Sequence, residues 1–285
     1  MEQSFNTRAM IFTIYGDYIR HYGNVIWIGS LIRLLEAFGH NEQSVRAAVS
    51  RMSRQGWIQA ERIGNKSYYA LTERGKARME EASRRIYKSE AEEWDGKWRI
   101  LVYTIPEEKR HVRDELRKEL TWSGFGLLAN SCWITPNPLE KQVHTLIDQY
   151  EIATHVSFFT AVHEGMQSSQ DLVRQCWDLT EVNDRYAQFV ETYSQKYIHD
   201  KSRVQRNDLS DEQCFVKCAL LVHQYRKFLF VDPSLPHELL PEEWLGDSAA
   251  TLFNDYYQLL AERATRFFET VFSQAEIPNT VQFSD

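Results

Sequence analysis

The sequence predicts an α+β fold in three parts, and three observations carry that expectation. Helical spacing broken by short turns and then a hairpin fills residues 1–88. A β-α-β-β-α-β rhythm follows over 89–167, and mainly helical spacing runs from 168 to 285. The chain has 285 residues, 43% hydrophobic and 13% aromatic, enough for two or three domains with real cores.

The first part opens with a helix over about residues 5–22, its apolar side formed by Phe5, Met10, Ile11, Ile14, Tyr15, Tyr18 and Ile19. Asn24 to Ile28 reads as a short strand. A second helix from Gly29-Ser30 carries Leu31, Ile32, Leu34, Leu35 and Phe38, and Gly39-His40 makes a tight turn.

The next segment, Asn41 to Gly56, reads as a two-faced helix. Asn41 can cap it by accepting from a first-turn N–H, Glu42 suits the positive end of the dipole, and Gly56 can end it in a left-handed conformation. At about 100° per residue, Val45, Ala48, Val49 and Met52 share one stripe. The opposite face offers Gln43, Ser44, Arg46, Ala47, Ser50, Arg51 and Arg54. Small residues permit close approach to a surface, amides and guanidinium groups read base edges, and Arg neutralises phosphate. The plainer alternative is a solvated basic face, with one or two arginines paired to carboxylates such as Glu42.

Trp57 to Leu71 alternates on both sides of Gly64-Asn65, the pattern of a β-hairpin whose tip bears Arg62, Asn65 and Lys66. Thr72 then caps a helix to about Tyr87. Helix, turn, helix and hairpin in this order form a winged helix-turn-helix. Charge agrees. Residues 1–88 hold 14 Lys+Arg against 8 Asp+Glu, a net of +6, whereas 89–285 hold 19 against 32, a net of −13, together the −7 of the chain. A basic first part on an acidic remainder suggests that the first part alone meets a polyanion.

Ser89 to Gly96 reads as an acidic linker. Beyond it, a strand from Lys97 to Ile105 ends at Pro106, and a helix spans Glu107 to Thr121. Strands at Gly124–Ala129 and Ser131–Thr135, a helix at Leu139–Tyr150 and a strand at Thr154–Val162 complete a ferredoxin-like βαββαβ unit. From residue 168 the expected elements are a short helix at Asp171–Trp177, a helix capped by Thr180 and ending near Tyr197, and a polar loop over Asp200–Asn207. A helix from Ser210 to Phe230 follows, and the final helix covers Asp247–Phe272. The proline-rich stretch Asp232–Gly246 carries Leu235, Leu239, Leu240, Trp244 and Leu245, an apolar load expected to pack against its own domain.

Cys132, Cys176, Cys214 and Cys218 lack the paired spacing of a zinc site and read as buried thiols in a reducing compartment. No secretory signal or bilayer-length apolar run is visible, so a cytoplasmic protein without a membrane partner is expected. G-x-S-x-G and G-x-x-x-x-G-K-[ST] are both missing, and the histidines are scattered, which leaves no hydrolase or phosphate-loop chemistry.

Four motifs together resemble the PaaX family of bacterial transcriptional repressors: Gln43 to Met52 with Gly56-Trp57, Tyr69-Ala70-Leu71-Thr72, Trp94-Asp95-Gly96-Lys97-Trp98, and Asp232-Pro233 through Leu239-Leu240-Pro241 with Trp244 and Gly246. The resemblance implies a homodimer bound to a palindromic operator of phenylacetate catabolism, released by a coenzyme A thioester such as phenylacetyl-CoA. No cofactor is implied beyond that effector. It also implies a middle domain like the CRISPR-associated ferredoxin-like nucleases, which hold a metal through an acidic residue near the end of the first strand. Here Val102-Tyr103-Thr104-Ile105 has no carboxylate, so the alternative of a metal-dependent nuclease lacks its ligand and no enzyme is expected. An acyl-CoA effector calls for cations outside and an aromatic cavity inside. The candidates are Trp94, Trp98, Arg99, Arg110, Arg113 and Arg117, against the plainer reading of a solvated helix surface laced by ion pairs.

Overall fold

A computed structural model describes residues 6–87 and 93–273. Phe5, residues 89–92 of the expected linker and the tail beyond 273 lie outside the described residues. The fold is α+β, mainly helical, with two small antiparallel sheets. Contacts group the chain into two compact units. Of the described residues, one comprises 6–87, 190–226 and 250–273, the other 93–189 and 227–249.

In the first unit, α1 (Thr7–Asp17) buries Met10, Ile11, Ile14 and Tyr15, the stripe expected from the sequence. A 3-10 turn (Ile19–Tyr22) leads to β1 (Val25–Trp27), α2 (Ile28–Glu36) and α3 (Glu42–Arg54). The hairpin β2 (Ile58–Ile63) and β3 (Lys66–Leu71) turns at Gly64, whose φ of 61° suits glycine. Strand β1 pairs on the outer side of β3, giving the order β1-β3-β2, and α4 (Glu73–Ile86) follows with Thr72 as its cap.

Later helices complete this core: the last turns of α8 (Leu179–Gln205), then α9 (Asp211–Tyr225) and α10 (Gly246–Phe272). Tyr18 packs on Phe215 and stacks on Phe268, and Tyr225 stacks on Phe253. Ser30 Oγ donates to the Val271 carbonyl oxygen at 3.0 Å. Two expectations are corrected. The segment Asp200–Asn207 is not a loop, because α8 continues through it to Gln205 instead of stopping near Tyr197. No Gly or Pro interrupts this stretch, and Asp200 turns inward to the Lys217 ammonium at 2.9 Å and the Tyr256 hydroxyl. Thr180 is not the cap of that helix, because Asp178 accepts from Glu181 N at 3.1 Å.

The second unit contains β4 (Trp98–Tyr103), α5 (Arg110–Trp122), β5 (Gly126–Ala129), β6 (Cys132–Thr135), α6 (Glu140–Gln149) and β7 (Val156–Ala161). The strand order is β5-β6-β4-β7. Alternation along β4 separates two cores. Leu101 and Tyr103 join Leu116, Leu120, Trp133 and Val143 on the helix-covered face. Trp98 joins Ile134, Leu172, Val173, Leu179, Leu235 and Leu239 on the other. The short helix α7 (Ser169–Cys176) and the proline-rich stretch therefore pack across the sheet. Gly124 makes room for that stretch. Its φ is 87°, and a β-carbon there would lie 2.4 Å from the Pro233 oxygen.

Candidate nucleic-acid interface

Helix α3 is built by local signals. Asn41 Oδ1 accepts from Ser44 N at 2.8 Å, and Gly56 leaves the helix with φ 71°. Val45, Ala48, Val49 and Met52 are all buried, so the helix has one way to sit on its unit. That seating turns Gln43, Arg46, Ala47, Ser50, Arg51 and Arg54 to solvent. Ser44 is half-buried, and its hydroxyl donates back to the Asn41 carbonyl at 2.8 Å.

The three arginines are not equivalent. Arg46 Nε donates to Glu42 at 2.7 Å, the local pairing that the sequence left open. Among the described residues, Arg51 and Arg54 have no carboxylate within ion-pair reach. Both lie in the last turn, where the negative end of the dipole favours a cation. Burial holds the His40 imidazole, just before the helix, below its usual pKa, so it adds no charge at neutral pH.

At the hairpin tip, Arg62 Nε donates to the Gly64 oxygen at 3.2 Å, Asn65 is exposed, and the Lys66 ammonium lies over the Trp27 ring, 5.1 Å from its centroid. A further cation was not singled out from the sequence. Arg74, exposed in the first turn of α4, lies over the Trp57 ring at 4.3 Å, directly after the end of α3. Its place two residues after the Thr72 cap is the one signal the sequence offers, and there it reads as part of the capping turn.

The residues weighed for an effector fall into two groups. Trp98 is buried in the sheet core, and Trp94 meets it edge-on at 5.4 Å while its Nε1 donates to the Lys97 oxygen. Arg99 is also buried, its guanidinium bonded to Asp95 at 2.8 Å and Glu140 at 2.8 Å. Along α5, Arg113 pairs with Glu107 at 3.1 Å, Arg110 lies 3.8 Å from Glu107 and 3.9 Å from Asp114, and Arg117 is exposed.

A cavity of about 770 Å³ lies elsewhere in the same unit, lined by Val173, Cys176, Trp177, Leu179, Asn183 and Leu240 among others. Burial pushes the Cys176 thiol up to about 11, so it is a neutral wall and not a nucleophile. Asn183, which lines the cavity, ties the proline-rich stretch to α8, donating to Glu243 O at 3.0 Å and accepting from Leu245 N at 2.8 Å. Among the described residues no group of three or more His, Cys, Asp or Glu could hold a metal ion. Nor is any described helix long and apolar enough to cross a membrane.

Comparison with known proteins bears on the whole chain. Three family models match in succession: "PaaX-like protein" over residues 6–75, "PaaX protein central Cas2-like domain" over 91–173 and "PaaX-like protein C-terminal domain" over 177–270. The transcriptional repressor PaaX of Escherichia coli strain K12 is 35% identical over 282 residues, covering 96% of this chain and 88% of that protein. Among solved structures, an uncharacterized protein of Mycobacterium tuberculosis is similar at 26% identity and a TM-score of 0.49, covering 83% of this chain and 89% of that one. Three successive domain matches and identity along nearly the full length place it among regulators, not enzymes: the chain belongs to the PaaX family of transcriptional repressors.

Proposed function

We propose that this protein is a cytoplasmic, dimeric repressor of phenylacetate catabolism genes that reads a palindromic operator with α3. The observation that carries this reading is the bare face of α3, where Arg51 and Arg54 are exposed and, among the described residues, unpaired, while the opposite stripe is buried. The element order from α1 to β3 supports a winged helix-turn-helix, with Gln43, Ser44, Arg46, Ala47, Ser50, Arg51 and Arg54 facing the major groove and Arg62, Asn65 and Lys66 at the wing. The strand order β5-β6-β4-β7 around two helices supports a ferredoxin-like middle domain, which would serve as a dimerisation or effector module. A gel shift on the promoter region of phenylacetate degradation genes tests the reading. A shifted band lost on adding phenylacetyl-CoA is expected; no band at all would refute operator binding.

The effector is proposed to be an acyl-CoA thioester that favours a dimer geometry whose two α3 helices no longer fit successive major grooves. The cavity beside Trp177 is the better candidate for its acyl end than Trp98 and Arg99, which are spent on the core and on carboxylates. Asp178, Asp184 and Glu243 at its walls would keep the phosphorylated end outside. Arg110, Arg113 and Arg117 remain candidates for those phosphates, each needing to leave or lack its local ion pair. Leu240→Trp, which fills the cavity, should abolish heat in a phenylacetyl-CoA titration while leaving the gel shift intact. Unchanged heat would move the acyl site elsewhere.

A further inference from the structure

The hairpin outruns the strand that supports it. Strand β1 pairs with β3 only at Val25–Ala70, Ile26–Tyr69 and Trp27–Tyr68, whereas β2 and β3 continue through Arg62–Ser67 to Ile63–Lys66. The last two rungs are therefore a two-stranded ribbon, an arrangement that is marginal by itself in water.

What reaches those rungs from the third strand is the side chain of Trp27. Its six-membered ring lies against the first turn of α2, so closely that a β-carbon at Gly29 would stand 2.2 Å from Cη2. Gly29 is thus required by close approach, since its φ is not positive. Seated in this way, the indole offers a fixed π surface at the end of β1. The Lys66 ammonium lies over it, 5.1 Å from the ring centroid, and both residues are half-buried. A lysine loses much rotamer freedom when it is pinned at a phosphate. Here that freedom is restricted before any ligand arrives, and preorganisation of this kind favours binding.

We propose that Trp27 is the positioning residue of the wing, seated on Gly29 so that its indole fixes where the Lys66 ammonium meets a DNA phosphate. The role rests on the DNA-reading function proposed above. Gly29 has a part that no turn or cap explains, and Trp27 enters the interface without touching DNA itself.

The test uses the full chain and a fluorescein-labelled mixed-sequence duplex of about 30 base pairs, titrated between about 50 and 200 mM NaCl. Removing one cation from a phosphate should lower the slope of log affinity against log salt by about 0.9. Lys66→Met should lower it by that amount and Lys66→Arg should not. Trp27→Leu should match Lys66→Met, and the two together should lose no more than Lys66→Met alone. Trp27→Phe, which keeps a π face, should retain the wild-type slope. An unchanged slope in Lys66→Met or Trp27→Leu, or a Trp27→Phe slope as low as that of Trp27→Leu, overturns the proposal. Wild-type protein that does not bind the duplex sinks the DNA-reading function itself, and this role with it.

Trp27→Leu could fail to fold, so a second measurement leaves the ring in place. In protein labelled with 5-fluorotryptophan, one of eight tryptophan resonances is identified as Trp27 by its loss in Trp27→Phe. That resonance should shift on adding the duplex in the wild type and stay put in Lys66→Met. An equal shift in both proteins would mean that the indole senses DNA without Lys66, and would overturn the proposal.

Discussion

Arg51 and Arg99 are both arginines that their sequence surroundings nominate for ligand contact, and the structure treats them in opposite ways. Arg51 projects from the open side of α3, exposed and, among the described residues, without a carboxylate. Arg99 points from β4 into the helix-covered side of the sheet, its side chain 7% exposed, with Asp95 and Glu140 around its guanidinium and the Pro136 oxygen accepting at 3.2 Å. A guanidinium gives up hydration only where other acceptors replace it. Arg99 has exchanged water for protein and is bound up in holding the sheet to the start of α6. Arg51 still has its donors to offer, and a phosphate or guanine edge can replace its water at little cost.

The largest expected effect follows from the Arg99 side. Arg99→Met should destabilise the protein by about 2–3 kcal/mol in urea denaturation. Stripping one partner from a fully buried pair costs more, but Asp95 and Glu140 are 43% and 40% exposed and can rehydrate. DNA affinity of the folded fraction should not change. The pH dependence identifies the cause. The hydrogen bond from Arg99 holds Asp95 below the usual carboxylate range; burial would raise Glu140, but Arg99 outweighs it and lowers that group too. A lowered folded-state pKa contributes stability above the unfolded value of about 4, and that contribution is lost as pH falls through the folded value. The stability gap between wild type and Arg99→Met should therefore be flat at neutral pH and narrow below about pH 4. A gap that does not change with acid would place the defect in packing.

Arg51→Ala should show the reverse pattern. Operator or duplex binding should weaken by about 1–3 kcal/mol, while stability stays within about 0.5 kcal/mol of wild type, because alanine suits an exposed helix position. Anisotropy titration and urea denaturation of one preparation read both quantities. A stability loss larger than the binding loss would make Arg51 a structural residue like Arg99 and would dissolve the contrast between them.

These two residues also mark what a reader of the sequence can and cannot see. The α3 face was legible because everything that orients it is local. Asn41 lies three residues from the N–H it caps, Gly56 ends the helix, and the buried stripe recurs every three or four residues. The fate of Arg99 was not legible, because Glu140 is 41 residues away and only the sheet brings it near. The same distance problem hid the inward turn of Asp200, whose Tyr256 partner is 56 residues on, and made a helix resemble a polar loop. It also hid the seat of the proline-rich stretch, where Asn137 donates to the oxygens of Pro233 and Ser234, 96 and 97 residues ahead. Periodicity reports which face is apolar and can offer a local partner, as Glu42 is to Arg46, but a partner far along the chain, as Glu140 is to Arg99, shows only in tertiary contact.

Arg46 stands between the two extremes and gives the finest test. It shares the face of Arg51 but is held by Glu42 at 2.7 Å, with both side chains more than half exposed. An exposed i,i+4 pair of this kind contributes only about 0.3–0.5 kcal/mol, so a phosphate can compete for the guanidinium. Glu42→Gln should release Arg46, strengthen duplex binding by about 0.5 kcal/mol and steepen the salt slope by up to about 0.9. The same change removes a carboxylate from the positive end of the α3 dipole and should lower stability by about 0.5 kcal/mol. Opposite movements of affinity and stability would put Arg46 with Arg51, as a donor restrained by a weak local bond. A stability loss with no gain in affinity would instead group it with Arg113 on α5, whose partner Glu107 lies 3.1 Å away in the turn just before that helix, as a cation spent on a local carboxylate.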